Sequence, residues 1–110
     1  MNRDLAKDTN HYAGGHFDRL RELAAAVDTP LVLHGGSGIP EEDVRRAIGE
    51  GITKVNVGTI IHCTYMNTVC AELARRGENA YTLDVMKPAR AAVREVVKRW
   101  IRACRADGKA

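Results

Sequence analysis

The segment that most constrains this chain is a short apolar run that meets a glycine-rich turn. Leu31–Leu33 forms the run, and His34-Gly35-Gly36-Ser37-Gly38 follows directly. An apolar run of this length is typical of a strand buried on both faces of a sheet, and closely spaced glycines do not continue regular structure. We therefore predict that a strand ends at His34. This histidine should lie at the carboxyl edge of a sheet, where parallel α/β proteins place their functional groups.

A second unit of the same kind follows along the chain. Pro40 and the acidic residues after it open a predicted helix, which ends at Gly49 and Gly51. The segment Ile52–Val57 is rich in β-branched residues and alternates in polarity, so we predict a second strand. A strand, a helix and a strand make a βαβ unit, which implies a parallel pair and a right-handed crossover. Because two strands alone make no stable sheet, the pattern favours part of a larger α/β fold.

Helical periodicity covers most of the remaining sequence. Apolar residues at helical spacing predict helices over residues 16–27 and 60–76. A long amphipathic helix is predicted to start at Asp84 or at Lys87-Pro88 and to run to about Ala106. Its apolar stripe includes a tryptophan that we expect to act as an anchor. The polar residues 1–14 are interpreted as a lead-in, and residues 15–110 as one structural unit.

Composition bounds the class of protein. The chain has 110 residues, of which 45% are hydrophobic and 28% charged, as is typical of soluble globular proteins. A net charge of +3 is too small to indicate nucleic acid, and a phosphorylated metabolite or a solvated helix face explains it equally well. The three unclustered cysteines fit reduced thiols. We see neither a signal-peptide pattern nor an apolar run long enough for a bilayer, so we expect a cytoplasmic protein without a membrane partner.

The two predicted strand ends together offer an anion site. Backbone amides at the glycines after His34 can approach an anion closely, and the hydroxyl of Ser37 adds a donor. A neutral imidazole beside such a site suits metal binding or acid/base chemistry, although a tight turn with a satisfied histidine is the ordinary alternative. After the second strand, Asn56 offers an amide and Gly58-Thr59 offers phosphate donors. Either motif is weak alone, but two at adjacent strand ends could hold one phosphate between them.

These motifs resemble a known family. The stretch PLVLHGGSGIPEEDVRRAIGEGITKVNVGT is similar to the closing segment of class II, zinc-dependent fructose-1,6-bisphosphate and tagatose-1,6-bisphosphate aldolases, and the likeness covers roughly residues 15–110. The resemblance implies the last two strands and the C-terminal helices of a (β/α)8 barrel. It further implies an aldehyde-lyase that cleaves the ketose bisphosphate to dihydroxyacetone phosphate and glyceraldehyde 3-phosphate. A homo-oligomer and a bound Zn²⁺ that polarises the ketone are also implied.

The resemblance assigns roles to particular residues. His34 corresponds to a zinc ligand, and the substrate phosphate would be held by Gly35, Gly36, Ser37, Asn56, Val57, Gly58 and Thr59. The family takes two further zinc histidines and an acid/base aspartate from earlier strands. Only His11 offers a remnant of one of these histidines, and its alignment needs a gap. No catalytic acid or base is secure in this chain, so we expect the chain to be inactive alone.

A second reading stays open beside the aldolase. The chain could be a non-catalytic remnant that binds a sugar phosphate or serves as an oligomerisation module. Other reactive residues have ordinary explanations. His62 lies within a predicted helix, Cys63 and Cys70 share one helix face, and Lys54 lies within a strand whose neighbouring motifs do not belong to a Schiff-base aldolase.

Overall fold

The computed structural model describes residues 16–109, so the lead-in predicted over residues 1–14, and His11 with it, lies outside the described residues. Four α-helices, two strands and two short 3-10 turns follow one another within that range. The helices are α1 (Phe17–Ala26), α2 (Glu41–Gly49), α3 (Thr59–Arg76) and α4 (Thr82–Ala103). The strands are β1 (Leu31–Leu33) and β2 (Ile52–Val55), and the 3-10 turns are Gly36–Gly38 and Gly77–Asn79.

β1 and β2 form a parallel pair, as the βαβ pattern predicts. Leu31 lies opposite Ile52 and Val32 opposite Lys54, so the pairing skips Thr53. The hydroxyl of Thr53 donates to the Leu31 carbonyl at 3.0 Å beside this irregularity. The ladder then closes with Leu33 opposite Val55, which brings both strands to an end at the same level.

One face of the sheet packs against α2 and α4. Val44 of α2 is fully buried, and it forms the core cluster with Trp100 and Ala103 of α4. Leu33 and Val55 pack on this cluster from the two strands. Trp100 is thus the anchor that its place on the apolar stripe predicts, and it joins the last helix to the sheet.

The prediction that β1 is buried on both faces is wrong within the described residues. Val32 is 40% exposed, whereas its neighbours Leu31 and Leu33 are half-buried. Successive side chains of a strand point to opposite faces, and α2 and α4 cover the face that carries Leu33. The described part of the chain is therefore a mixed α/β structure with a small parallel sheet. The partial barrel stays a prediction.

Two element boundaries also differ from the predicted ones. β2 ends at Val55 rather than Val57, and α3 begins at Thr59. α4 starts at Thr82, before the predicted Asp84 or Lys87-Pro88, and ends at Ala103 instead of near Ala106.

Pro88 therefore lies inside α4 and does not open it. A proline inside a helix withholds one amide hydrogen bond. Burial of Val85 and Ala89 on either side favours continuation of the helix, because α3 and α4 pack along each other. No helix within residues 16–109 is both long enough and apolar enough to cross a membrane.

Candidate functional site

The carboxyl ends of β1 and β2 are joined directly through the backbone. The amide of Asn56 donates to the carbonyl of Leu33 at 2.9 Å, and the amide of Gly36 donates to the carbonyl of Asn56 at 3.0 Å. The backbone of Asn56 thus bonds to the residue before and to the residue after the His34-Gly35 segment. The two motifs that were separate in sequence form one structural unit.

The glycines after His34 have different roles. Gly35 has a φ of 69°, in the left-handed region that glycine adopts at low cost. Gly36 is buried, and a Cβ there would lie 2.8 Å from Cγ1 of Val55 and 3.1 Å from the Asn56 carbonyl oxygen. Gly35 therefore turns the chain, and Gly36 permits the close approach of the two strand ends. The amide of Gly36 is already engaged by Asn56 in this structure.

The side chains of His34 and Asn56 also meet. Nδ2 of Asn56 lies 2.9 Å from Nδ1 of His34, and the tautomer of the ring determines which group donates. The imidazole is exposed, whereas Asn56 is half-buried. His34 thus lies at the carboxyl edge of the sheet, as predicted. Its ring is accessible to solvent, and one ring nitrogen, Nδ1, contacts Asn56.

Ser37 joins the glycine-rich turn to the start of α3. Its Oγ accepts a hydrogen bond from the amide of Ile60 at 3.2 Å. The first amides of a helix have no acceptor within the helix, so the hydroxyl satisfies one of them. Because Oγ accepts this bond, its own proton remains available to another acceptor.

The turn, the end of β2 and the start of α3 surround an open cleft of about 570 Å³. Its lining includes six of the predicted phosphate-binding residues, together with Val55: Gly35, Ser37, Asn56, Val57, Gly58 and Thr59. The seventh, Gly36, is buried and bonds to Asn56, which lines the cleft. The amide dipoles at the start of the 18-residue helix α3 make this end attractive to an anion.

The described residues contribute one prospective metal ligand to this site. No group of three or more His, Cys, Asp or Glu side chains within residues 16–109 could hold a metal ion. Catalytic zinc sites usually take three protein ligands. His34 therefore fits as one member of a shared ligand set. Any further ligand would have to come from outside these residues.

The remaining candidates lie away from the strand ends or have structural explanations. His62 is exposed on α3, beside an apolar pocket of about 420 Å³ that Val57, Gly58 and Tyr65 also line. Burial raises the pKa of the Cys104 thiol, which packs beside the core cluster, so this cysteine is not an activated nucleophile. Sequence reasoning missed the His34–Asn56 and Ser37–Ile60 contacts. Their only sequence signal was the predicted adjacency of the two strand ends.

A family match decides the relationship of this chain to known proteins. Residues 7–109 match the family model described as fructose-bisphosphate aldolase class-II. The chain belongs to the class II fructose-bisphosphate aldolase family. The family resemblance of the glycine-rich turn and the Asn56–Thr59 segment is thereby confirmed, whereas the roles of the individual residues stay predictions.

Two aldolases illustrate the similarity. The chain is 37% identical over 93 residues to the D-tagatose-1,6-bisphosphate aldolase subunit GatY of Klebsiella oxytoca, a match that covers 84% of this chain and 33% of that protein. The crystal structure of the YdjI aldolase from Escherichia coli K12 superposes with a TM-score of 0.75 at 32% identity, over 88% of this chain and 36% of that one. The chain thus spans about a third of the length of these aldolases.

Proposed function

We propose that this chain forms the phosphate-binding part, and one metal ligand, of a class II ketose-bisphosphate aldolase. The substrate would be fructose 1,6-bisphosphate or tagatose 1,6-bisphosphate, cleaved to dihydroxyacetone phosphate and glyceraldehyde 3-phosphate. The observation that carries the proposal is the single cleft between the glycine-rich turn and the first turn of α3. Family membership supplies the class of reaction.

The cleft suits a phosphate because donors converge on it from both motifs. At the start of α3, the amide of Thr59, which lines the cleft, has no acceptor within the helix. The Ser37 hydroxyl can donate its proton while it accepts from Ile60. These groups are neutral donors beside a helix amino terminus, an arrangement that binds phosphate without a buried positive charge.

His34 would contribute a neutral imidazole nitrogen to a Zn²⁺ ion beside this cleft. When bound, the ion supplies Lewis-acid polarisation of a ketone oxygen. The chain's own residues would hold the phosphate end, and Asn56 lies between the phosphate donors and His34. The ketose would therefore lie with its phosphate at α3 and its carbonyl end toward His34.

Residues 16–109 do not complete the metal site, so we expect them to bind the phosphate without cleaving the bisphosphate. The other ligands would come from outside this range, with His11 as one candidate. A cytoplasmic location and a homo-oligomer, both drawn from the sequence and its resemblance, remain predictions.

Phosphate binding is tested by titration of the ¹⁵N-labelled chain with dihydroxyacetone phosphate. We expect shifts at the amides of Ser37, Gly58 and Thr59, and none with dihydroxyacetone, which lacks the phosphate. Thr59→Asp should weaken binding at least tenfold, because a carboxylate would then occupy the phosphate end. This variant should still fold, since an acidic residue in the first turn favours a helix.

Thr82→Asp provides the matched control, because Thr82 is the first residue of α4 as Thr59 is of α3. It should leave the affinity unchanged. Equal affinities for the wild type and Thr59→Asp would contradict the phosphate site. Cleavage of either bisphosphate by the isolated chain with Zn²⁺ would contradict its expected inactivity.

Aldolase chemistry is tested separately with a chimera. The chain replaces the matching third of the Klebsiella oxytoca tagatose-bisphosphate aldolase subunit, and cleavage of tagatose 1,6-bisphosphate is measured. We expect cleavage that is lost in the chimera carrying His34→Gln. A soluble, folded chimera without activity would instead favour the non-catalytic remnant.

A further inference from the structure

The backbone of Asn56 is fixed more firmly than its position after a strand requires. Its amide and its carbonyl are both engaged, by Leu33 and by Gly36, one on each side of His34. The absence of a Cβ at Gly36 makes the second of these contacts possible. Asn56 therefore reaches His34 from a backbone that is already ordered, so only its side chain loses conformational entropy when it engages the ring.

The contact of this side chain with the imidazole is specific to one ring nitrogen. The amide group of Asn56 lies 2.9 Å from Nδ1 of His34. We propose that Asn56 is the positioning residue of His34, with its amide group occupying Nδ1 so that Nε2 alone is left for a metal. This inference rests on the proposed function, and it gives Asn56 a task distinct from contact with the sugar.

The chemistry of the two side chains determines which ring nitrogen carries the proton and which can bind a metal. A ring nitrogen binds a metal through its lone pair, so Nδ1 must carry the ring proton when Nε2 is the ligand. Nδ1–H then donates, and Asn56 must offer its amide oxygen rather than Nδ2. A rotation of the terminal amide by about 180° exchanges these atoms without moving the backbone.

A hydrogen-bond partner of this kind orients a metal-binding histidine and selects its tautomer. Loss of such a partner typically reduces metal affinity by about 10–100-fold. An aspartate at the same position can only accept, so it should hold the Nδ1–H tautomer even more firmly. An alanine should leave the exposed ring free to sample both tautomers.

The test is ¹⁵N NMR of the imidazole nitrogens in the whole 110-residue chain, first without metal and then with Zn²⁺. His34→Gln identifies the His34 signals among those of the other histidines. We expect the metal-free wild type to show one dominant tautomer, Asn56→Ala to show averaged signals, and Asn56→Asp to show Nδ1–H. Zn²⁺ should perturb Nε2 of His34. In the chimera, which supplies the other ligands, zinc binding should be about 10–100-fold weaker with Asn56→Ala and should recover with Asn56→Asp.

Asn67→Ala is the matched control, because Asn67 is exposed on α3. It should change neither the tautomer nor the zinc affinity. The ¹H–¹⁵N backbone spectrum reports whether each variant folds, and a folded Asn56→Asp decides the question even if Asn56→Ala unfolds. A tautomer that is the same in the wild type and every Asn56 variant, or zinc perturbation at Nδ1, would overturn the proposal.

Failure of this proposal and failure of the proposed function are distinguishable. If the chimera with His34→Gln binds zinc as tightly as the wild-type chimera, the metal role of His34 fails. The metal-free tautomers still decide whether Asn56 positions the ring. If Zn²⁺ perturbs His34 equally in the wild type and in both Asn56 variants, the metal role stands and the positioning role fails.

Discussion

Gly36 illustrates how a single missing side chain brings the two motifs together. A methyl group at this buried position would meet Cγ1 of Val55 at 2.8 Å and the Asn56 carbonyl oxygen at 3.1 Å. We expect Gly36→Ala to lower the free energy of unfolding by about 1–3 kcal/mol, the usual cost of overpacking. Urea denaturation followed by circular dichroism measures this change.

Gly38 offers a control within the same turn. A Cβ at Gly38 would meet no atom within 4 Å. Gly38→Ala should therefore stay within about 0.5 kcal/mol of the wild type, as substitutions at open surface positions usually do. Equal stability losses in the two variants would show that the close approach of the strand ends is not the reason for glycine at Gly36.

Residue types at the strand ends could be predicted from the sequence, but their partners could not. The apolar run and the glycines place His34 at a strand end, and the βαβ spacing places Asn56 beside it. The sequence does not show that Gly35 turns the chain and that Gly36 permits a close contact, because a glycine looks the same in a sequence in either role. The acceptor role of Ser37 depended on the first turn of α3, which is 23 residues away.

The secondary-structure elements were predicted best where their ends carry distinct chemistry. Pro40 with its acidic neighbours marked the start of α2, and Gly77, with a φ of 60°, ends α3. The Lys87-Pro88 alternative for the start of α4 is wrong because it treats Pro88 as a helix-opening proline, and the Asp84 alternative lies inside the first turn of the helix. The true position of Pro88, inside the helix, depends on packing between α3 and α4, which local sequence rules do not contain.

The irregular pairing of β1 and β2 was likewise beyond sequence rules. Strict alternation predicts an even ladder, yet the register skips Thr53. The hydroxyl of Thr53 bonds the Leu31 carbonyl next to that shift, so a polar β-branched residue suits the position. The shift matters for the site, because it sets Leu33 opposite Val55 and so brings His34 level with Asn56.

At the scale of the whole molecule, one small cluster connects the site to the helices behind it. Val44 and Trp100 join α2 to α4, and the strand ends pack on them through Leu33 and Val55. The sequence predicts the apolar stripe of α4. The exposure of Val32 could not be predicted. An apolar run in a sequence does not indicate which part of the chain covers each face of the strand.

Val44→Ala tests whether this cluster stabilises the molecule as a unit. Val44 is fully buried, and removal of its two methyl groups should cost about 2–3 kcal/mol once the cavity is included. That is a large share of the 5–15 kcal/mol typical of a folded domain. The midpoint of urea unfolding should fall accordingly, whereas Val97→Ala, at a position that is 36% exposed, should change it much less.

The reactivity of Cys104 provides a second measure of how firmly this cluster is packed. Cys104 packs beside the cluster, and burial raises the pKa of its thiol. Restricted access and a smaller thiolate fraction should both slow its reaction with a disulfide reagent. Cys70 is exposed and should react quickly in the folded chain. In variants that retain one cysteine each, we expect Val44→Ala to accelerate labelling of Cys104 and to leave Cys70 unchanged. Acceleration at both thiols would mean that α3 opens together with the cluster, and acceleration at neither would mean that Val44 does not hold α2 and α4 together.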